Sequence, residues 1–322
     1  MSILLSVILI IIGFILLIKG ADFLVDSSSN IAKKFHIPEI VIGLTIVSIG
    51  TSLPELMVSL KSAISGHSDM SVGNVVGSNI CNLLLILGLS STIRPLIFKR
   101  ETRLIETPMC LVLTIIFGIL CNTSGGISRP EAIVLLVLFV MFIIYTIIMG
   151  IKGEKFDEED GESKEIIEDK KQVSMLKNII FIILGIVGLK IGGDLVVDNS
   201  TIIAEHFNIS EQIISLTIVA IGTSLPELVT SVVAALKGNS DISIGNILGS
   251  NIFNMALIMG ISALINPITY NAAYNFEIGI LIAASIILTL FPIIPPKNKM
   301  SRGNGIVYLI LYVVYTLILL NT

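Results

Sequence analysis

Charge is scarce in this chain. Only 14% of its 322 residues are Asp, Glu, Lys or Arg, where a water-soluble domain carries about a quarter, and that shortage excludes an ordinary soluble globular fold. Basic residues form no aromatic-studded patch, so no nucleic-acid partner is expected. No basic segment precedes the first apolar run, Ser2 to Ile18, and no small-residue cleavage site follows it. That run therefore reads as a retained membrane span and not as a signal peptide. Cysteine is equally sparse: Cys81, Cys110 and Cys121 lie in or beside apolar segments without metal-ligand spacing, which makes them packing residues. The acidic stretch "EKFDEEDGESKEIIEDKK" lacks the acid that an EF-hand loop needs five positions before its glycine, since Phe156 stands there before Gly161. It reads as a solvated linker, with looser cation sensing as the alternative.

Apolar length is what the chain has instead. Hydrophobic residues make up 54% of it, the mean hydropathy is +0.96, and runs of about 20 residues, enough to cross a hydrocarbon core, recur along it. They fall near 2–24, 38–63, 71–93, 105–122, 129–151, 176–200, 210–236, 242–266, 275–294 and 303–321. The expectation is an all-α integral membrane protein with ten transmembrane helices.

Residues 41–88 match 213–260 at a constant offset of 172, with 29 of 48 positions identical. Upstream, Asp22, Asp26, Ala32 and Phe35 recur as Asp194, Asp198, Ala204 and Phe207. The repeating unit is five spans, and an odd number forces the second copy to enter the membrane from the opposite side. The domain reading is a first five-helix repeat at 1–151, a charged linker at 152–177 and a second, inverted five-helix repeat at 178–322. With alternating spans, sixteen Lys and Arg collect on one face and only Lys61 and Arg129 on the other, with Lys19 and Lys190 set aside inside spans. The basic face, carrying the linker, is then cytoplasmic in a cell membrane, and both termini lie outside.

The repeat carries the chemistry. Read as one helix, "SIGTSLPE" places Ser48, Thr51, Ser52 and Glu55 on a single face, and the second copy does the same with Ala220, Thr223, Ser224 and Glu227. "GNVVGSNICN" and "GNILGSNIFN" set Ser78 four residues before Asn82 and Ser250 four before Asn254. Pro54 and Pro226 lack an N–H and free the carbonyls of Gly50 and Gly222, which a membrane interior must satisfy with protein, water or a cation. An intramembrane carboxylate costs at least about 2.5 kcal/mol unless paired, protonated or solvated, and no Lys or Arg stands within either motif. Two glutamates from inverted repeats, ringed by hydroxyl, amide and carbonyl oxygens, suit a hard cation. Ca2+, with 6–8 oxygen ligands, fits first, and Na+ competes for the same oxygens.

Each residue also has a plainer role available. The glutamates could be protonated structural acids, and the Thr and Ser hydroxyls could bond back to their own helix. Ser78, Ser250, Asn82 and Asn254 could serve helix-to-helix hydrogen bonds, and the glycines at 73, 77, 245 and 249 close approach of helices. Ser48 and Ala220 share only a backbone oxygen. Asp69 and Asp241 read as helix caps, and Asp22, Asp26, Asp194 and Asp198 as interfacial.

With "GTSLPE" and "GSNICN" repeated as "GTSLPE" and "GSNIFN", the chain resembles the sodium/calcium exchanger family of the cation/Ca2+ antiporter superfamily, in its prokaryotic form. The resemblance implies ten helices in two inverted halves, with the first and sixth sliding against the rest. It implies that Glu55, Glu227, Thr51 and Thr223 ligate Ca2+ and Na+. Ser52, Ser78, Ser224 and Ser250 would ligate Na+ at flanking sites, Ser48 and Ala220 would offer carbonyls, and Asn82 and Asn254 would complete a central diamond. Some members carry aspartate at one of those last two positions, whereas this chain has asparagine at both, which leaves the coupling ion open.

The expected activity is Na+/Ca2+ antiport by alternating access, without a cofactor and without enzymatic chemistry, in a protein surrounded by lipid for which a monomer suffices. Antiport of Ca2+ or another divalent cation coupled to H+ or K+ is the nearest rival. An intramembrane hydrolase would need a base beside Ser52 or Ser224, and no His or Lys is placed for it. A cation channel fits inverted repeats less well.

Overall fold

The computed structural model describes residues 3–123, 125–156, 174–207, 220–294 and 297–319, without the side chains of 153–156 and 220. Apolar runs become helices because a peptide in lipid has only its own backbone to hydrogen-bond. Helix α1 spans Ile3–Phe35, α2 Glu39–Thr51, α3 Leu53–Ile64, α4 Ser68–Ile93, α5 Thr102–Thr123 and α6 Arg129–Phe156. There follow α7 Met175–His206, α8 Ala220–Gly222, α9 Leu225–Lys237, α10 Ser240–Ile265, α11 Asn275–Leu290 and α12 Arg302–Leu319. Among the described residues eight helices are long and apolar enough to cross a membrane, and the bent pair α2 and α3 makes a ninth. Most of the 152–177 linker, and residues 210–219 of the expected seventh span, lie outside the described residues.

Among the described residues strand structure is confined to two short ties, a small departure from the all-α expectation. β1, Leu96–Ile97, pairs antiparallel with β4, Lys299–Met300. β2, Gly126–Ile127, pairs with β3, Ile268–Thr269.

Burial is uneven among the helices, with α4 and α10 inside and α1, α6 and α12 facing outward. In α4 and α10, 72% and 83% of the most apolar stretch is buried, against 22% in α1, 28% in Arg129–Lys152 and 17% in α12. Lipid tails are as apolar as leucine, so helices here associate through close packing and polar contacts. Glycine supplies the closeness along α1 and α7. A Cβ at Gly20 would stand 2.8 Å from the Gly185 carbonyl oxygen, and one at Gly192 would stand 2.7 Å from that of Gly13. Phe23 and Phe181 stack at 5.0 Å in the same seam. Between α2 and α10 a Cβ at Gly245 would lie 2.9 Å from Gly43 Cα, and one at Gly249 would lie 2.7 Å from the Leu44 carbonyl oxygen.

With 33 residues, α1 is about 50 Å long and overruns a hydrocarbon core of about 30 Å. Asp22 and Asp26 thus sit inside α1 yet near a membrane surface, where Lys237 Nζ meets them at 2.9 and 2.7 Å.

Candidate functional site

The two "TSLPEL" phrases are breaks in helices and not stretches of one. Thr51 ends α2, Ser52 leaves helical geometry at φ −83°, ψ 9°, and α3 begins at Leu53 after a 52° bend. Ser224 repeats the break at φ −90°, ψ 7° before α9. The single-helix reading of "SIGTSLPE" is corrected accordingly. Proline is the cause: lacking an N–H and fixing φ, it suits the first turn of a new helix better than the interior of an old one. Each glutamate therefore stands in the first turn of its helix, where the unpaired N–H end offsets part of the cost of a buried carboxylate. Gly50 and Gly222 have a packing role at the breaks, since a Cβ there would lie 2.7 Å from Ile186 Cδ1 and 2.2 Å from Val197 Cγ2.

Across the centre the repeats exchange hydrogen bonds. Ser52 Oγ lies 2.9 Å from Glu227 Oε1 and 2.9 Å from Ser250 Oγ, so it donates to the carboxylate and accepts from the second serine. Ser224 Oγ donates to Glu55 Oε1 at 3.3 Å. Glu55 and Glu227 are 1% and 0% exposed, and among the described residues neither Oε2 has a hydrogen-bond partner. The Oδ1 atoms of Asn82 and Asn254, also buried, have none either. Both asparagines lie where the helix widens to π-helical turns, Cys81–Leu87 and Phe253–Ile258, a distortion frequent at functional sites.

The other expected residues separate. Thr51 is buried and donates to Asn246 Oδ1 at 3.0 Å, whereas Thr223 is half-buried. Ser78 is buried. Ser48 turns its hydroxyl back to the Leu44 carbonyl at 2.8 Å, and the Ala220 side chain lies outside the described residues. Asp69 and Asp241 sit in first turns without capping them: the cap positions are His67 and Asn239, and Asp241 Oδ2 lies 3.3 Å from Lys99 Nζ.

Four further asparagines organise the site. Asn74 Nδ2 donates to the Glu55 carbonyl at 3.2 Å and to Ser59 Oγ at 2.9 Å. Asn246 Nδ2 does the same to the Glu227 carbonyl at 3.5 Å and to Ser231 Oγ at 2.9 Å. Asn79 and Asn251 join the two halves by accepting from Asn254 and Asn82. All four recur at the offset of 172, and that was their signal in the sequence.

Chemically the arrangement offers two carboxylates, several hydroxyls and two amide oxygens, with no Lys or Arg paired to either carboxylate among the described residues. It is all hard oxygen, the donor set of Ca2+ and not of thiolate-seeking or imidazole-seeking metals.

The model of a family described as "Sodium/calcium exchanger protein" matches residues 5–148 and 177–321. The chain belongs to the sodium/calcium exchanger family. It is a multi-pass membrane antiporter and not an enzyme, and the family needs no cofactor. The chain is similar to the sodium/calcium exchanger MaX1 of Methanosarcina acetivorans, at 34% identity over 97% of each chain. It is also similar to the inner membrane protein YrbG of Escherichia coli, at 36% identity over 94% of this chain and 92% of the relative. A solved structure of the sodium-calcium exchanger NCX_Mj, soaked with 2.5 mM Na+ and 1 mM Sr2+, matches with a TM-score of 0.83, 33% identity and 98% of each chain covered. An exchanger-family fold of packed membrane-crossing helices is thereby established for this chain.

Proposed function

We propose that this exchanger swaps Na+ for Ca2+ by alternating access at a midplane site whose charge comes from Glu55 and Glu227. The observation that carries the reading is the set of unpartnered buried oxygens: Glu55 Oε2, Glu227 Oε2, Asn82 Oδ1 and Asn254 Oδ1. A buried polar group left without a partner costs about 1–3 kcal/mol, more when charged, and a hard cation is the kind of partner these oxygens would take. Thr51, Thr223, Ser52, Ser224, Ser78 and Ser250 add hydroxyls for Na+, and Ser48 and Ala220 contribute backbone carbonyls.

The two matches to the family model and the offset of 172 support inverted five-helix halves at 1–151 and 178–322, ten spans in all, with 152–177 and the basic face cytoplasmic and both termini outside. Exposure within the site supports alternation. On the side toward Lys99, Lys237 and the other basic residues, Thr51, Asn246 and Gly249 are buried, whereas their repeat counterparts Thr223, Asn74 and Gly77 are half-buried. The site is read as closed toward the cytoplasm. The glycine-packed pair α1 and α7 is the body that slides over the rest.

Glu55→Gln and Glu227→Gln test the reading. Each keeps the size of the side chain and removes half the site's charge, and each is expected to abolish 45Ca2+ transport while the protein remains folded and monodisperse. Transport retained in either variant contradicts the paired-carboxylate site.

A further inference from the structure

Asn79 and Asn251 are fully buried at the crossing of α4 and α10, and their hydrogen bonds form a closed set. Asn251 Nδ2 donates to the Asn79 carbonyl at 3.5 Å and Asn79 Nδ2 to the Asn251 carbonyl at 3.3 Å. Backbone carbonyls only accept, so both side chains must turn their NH2 groups toward the opposite backbone. Their Oδ1 atoms then face away, and there Asn82 Nδ2 and Asn254 Nδ2 donate to them, each at 3.0 Å. The orientation of all four amides follows. Asn82 and Asn254 have spent their NH2 groups on the opposite repeat, and the oxygens left over are the two that lack partners. Asn254 lies one turn beyond Ser250, on the face of α10 that meets Ser52 and through it Glu227.

An amide is nearly symmetric in shape and opposite in charge at its two ends. Flipped, either Asn82 or Asn254 would present N–H donors to a cation in place of an oxygen, losing a ligand and adding a repulsion. Packing alone does not choose between the two ends.

We infer that Asn79 and Asn251 are positioning residues of the ion site: through bonds across the two repeats they lock Asn82 and Asn254 as oxygen donors and keep their NH2 groups away from the cation. This rests on the reading of the central site as the cation site. Asn82 and Asn254 then supply permanently neutral oxygens, so Glu55 and Glu227 alone set the charge of the site. Because each lock is made by the opposite half, neither repeat orients its own amide ligand.

The test is a Ca2+ titration of purified protein in detergent or nanodiscs. Asn251→Leu keeps the volume and removes the acceptor for Asn82, and Ca2+ affinity is expected to fall about 10–100-fold, the usual cost of removing a group that orients a metal ligand. Asn82→Asp added to Asn251→Leu restores the affinity to within about threefold, because a carboxylate presents oxygen on both sides and has no orientation to lose. Asn82→Asp alone measures what the added charge contributes: if Asn251 acts through Asn82, Asn251→Leu costs less than about threefold in the Asn82→Asp background, whereas a residue that served only packing costs the same in both backgrounds. Asn79→Leu with Asn254→Asp repeats the measurement in the other half, and alanine replaces leucine wherever leucine prevents folding. Unchanged affinity in folded Asn251→Leu and Asn79→Leu, or lost affinity that aspartate does not restore, overturns the inference. Glu227→Gln in the same titration separates the two readings: if it leaves Ca2+ binding intact the site itself is misplaced, and if it abolishes binding while the asparagine variants do nothing, only the lock is wrong.

Discussion

Ser52 and Ser224 are repeat counterparts that do unequal work. Ser52 bonds Glu227 at 2.9 Å and joins Ser250 at the same distance, while Ser224 reaches Glu55 at 3.3 Å. A hydrogen bond to a charged group contributes about 1.5–3 kcal/mol, and the shorter bond, held in a chain, should lie at the upper end. Ser52→Ala is therefore expected to change Ca2+ affinity by about tenfold or more, and Ser224→Ala by severalfold less, in the same equilibrium titration. Equal effects would show that the asymmetry of the two distances has no energetic weight. At this scale the sequence points to the proposed ligands more readily than to the residues around them. A doubled glutamate in apolar surroundings announces itself through cost, whereas Asn74, Asn79, Asn246 and Asn251 look like any amide in a helix until the opposite half is laid against them.

Among the helices, α1 is held by two different kinds of contact. Along α7 it is fixed by glycine-to-backbone packing at Gly13, Gly20, Gly185 and Gly192. To α9 it is tied by Lys237 with Asp22 and Asp26, partly exposed ion pairs of about 0–1 kcal/mol each. In the proposed cycle the first contact keeps α1 and α7 as one body, and the second is released cheaply at each turn. Cross-linking Asp26→Cys to Lys237→Cys with a thiol-bridging reagent should thus slow exchange by tenfold or more and reverse on reduction, whereas Phe23→Cys bridged to Phe181→Cys, across the α1–α7 seam, should leave most of it. Full exchange with a complete α1-to-α9 cross-link would contradict sliding of that pair. The break at Ser52 belongs to this scale as well. Pro54 and the acidic first turn were a legible helix start, but the apolar run is continuous through them, and hydrophobicity alone joined two helices that proline separates. Asp69 and Asp241 misled in the same way, since a first-turn acid interacts with the helix end without capping it.

For the whole molecule, length and hydropathy were enough to give a membrane bundle, and the offset of 172 is what supports the proposed pairing of two halves. The depth of each helix was harder to read. α4 and α10 are the most buried, and they carry the Gly, Ser and Asn that let the two halves cross, a property that lowers their apparent hydrophobicity relative to the lipid-facing α1 and α6. Charge would set the energetics of the proposed cycle. Two ionised glutamates balance one Ca2+, and three Na+ in the same site would leave one positive charge, worth about 2.3 kcal/mol per 100 mV if moved across the membrane. Alternation of Na+ and Ca2+ at Glu55 and Glu227 is the proposal that joins these scales. It is tested most directly by 45Ca2+ uptake into proteoliposomes loaded with Na+, compared with loads of choline, K+ or an outward proton gradient. Uptake driven by the Na+ load and not by the other three is the predicted result; no uptake with Na+, or equal uptake driven by K+ or protons, would contradict it.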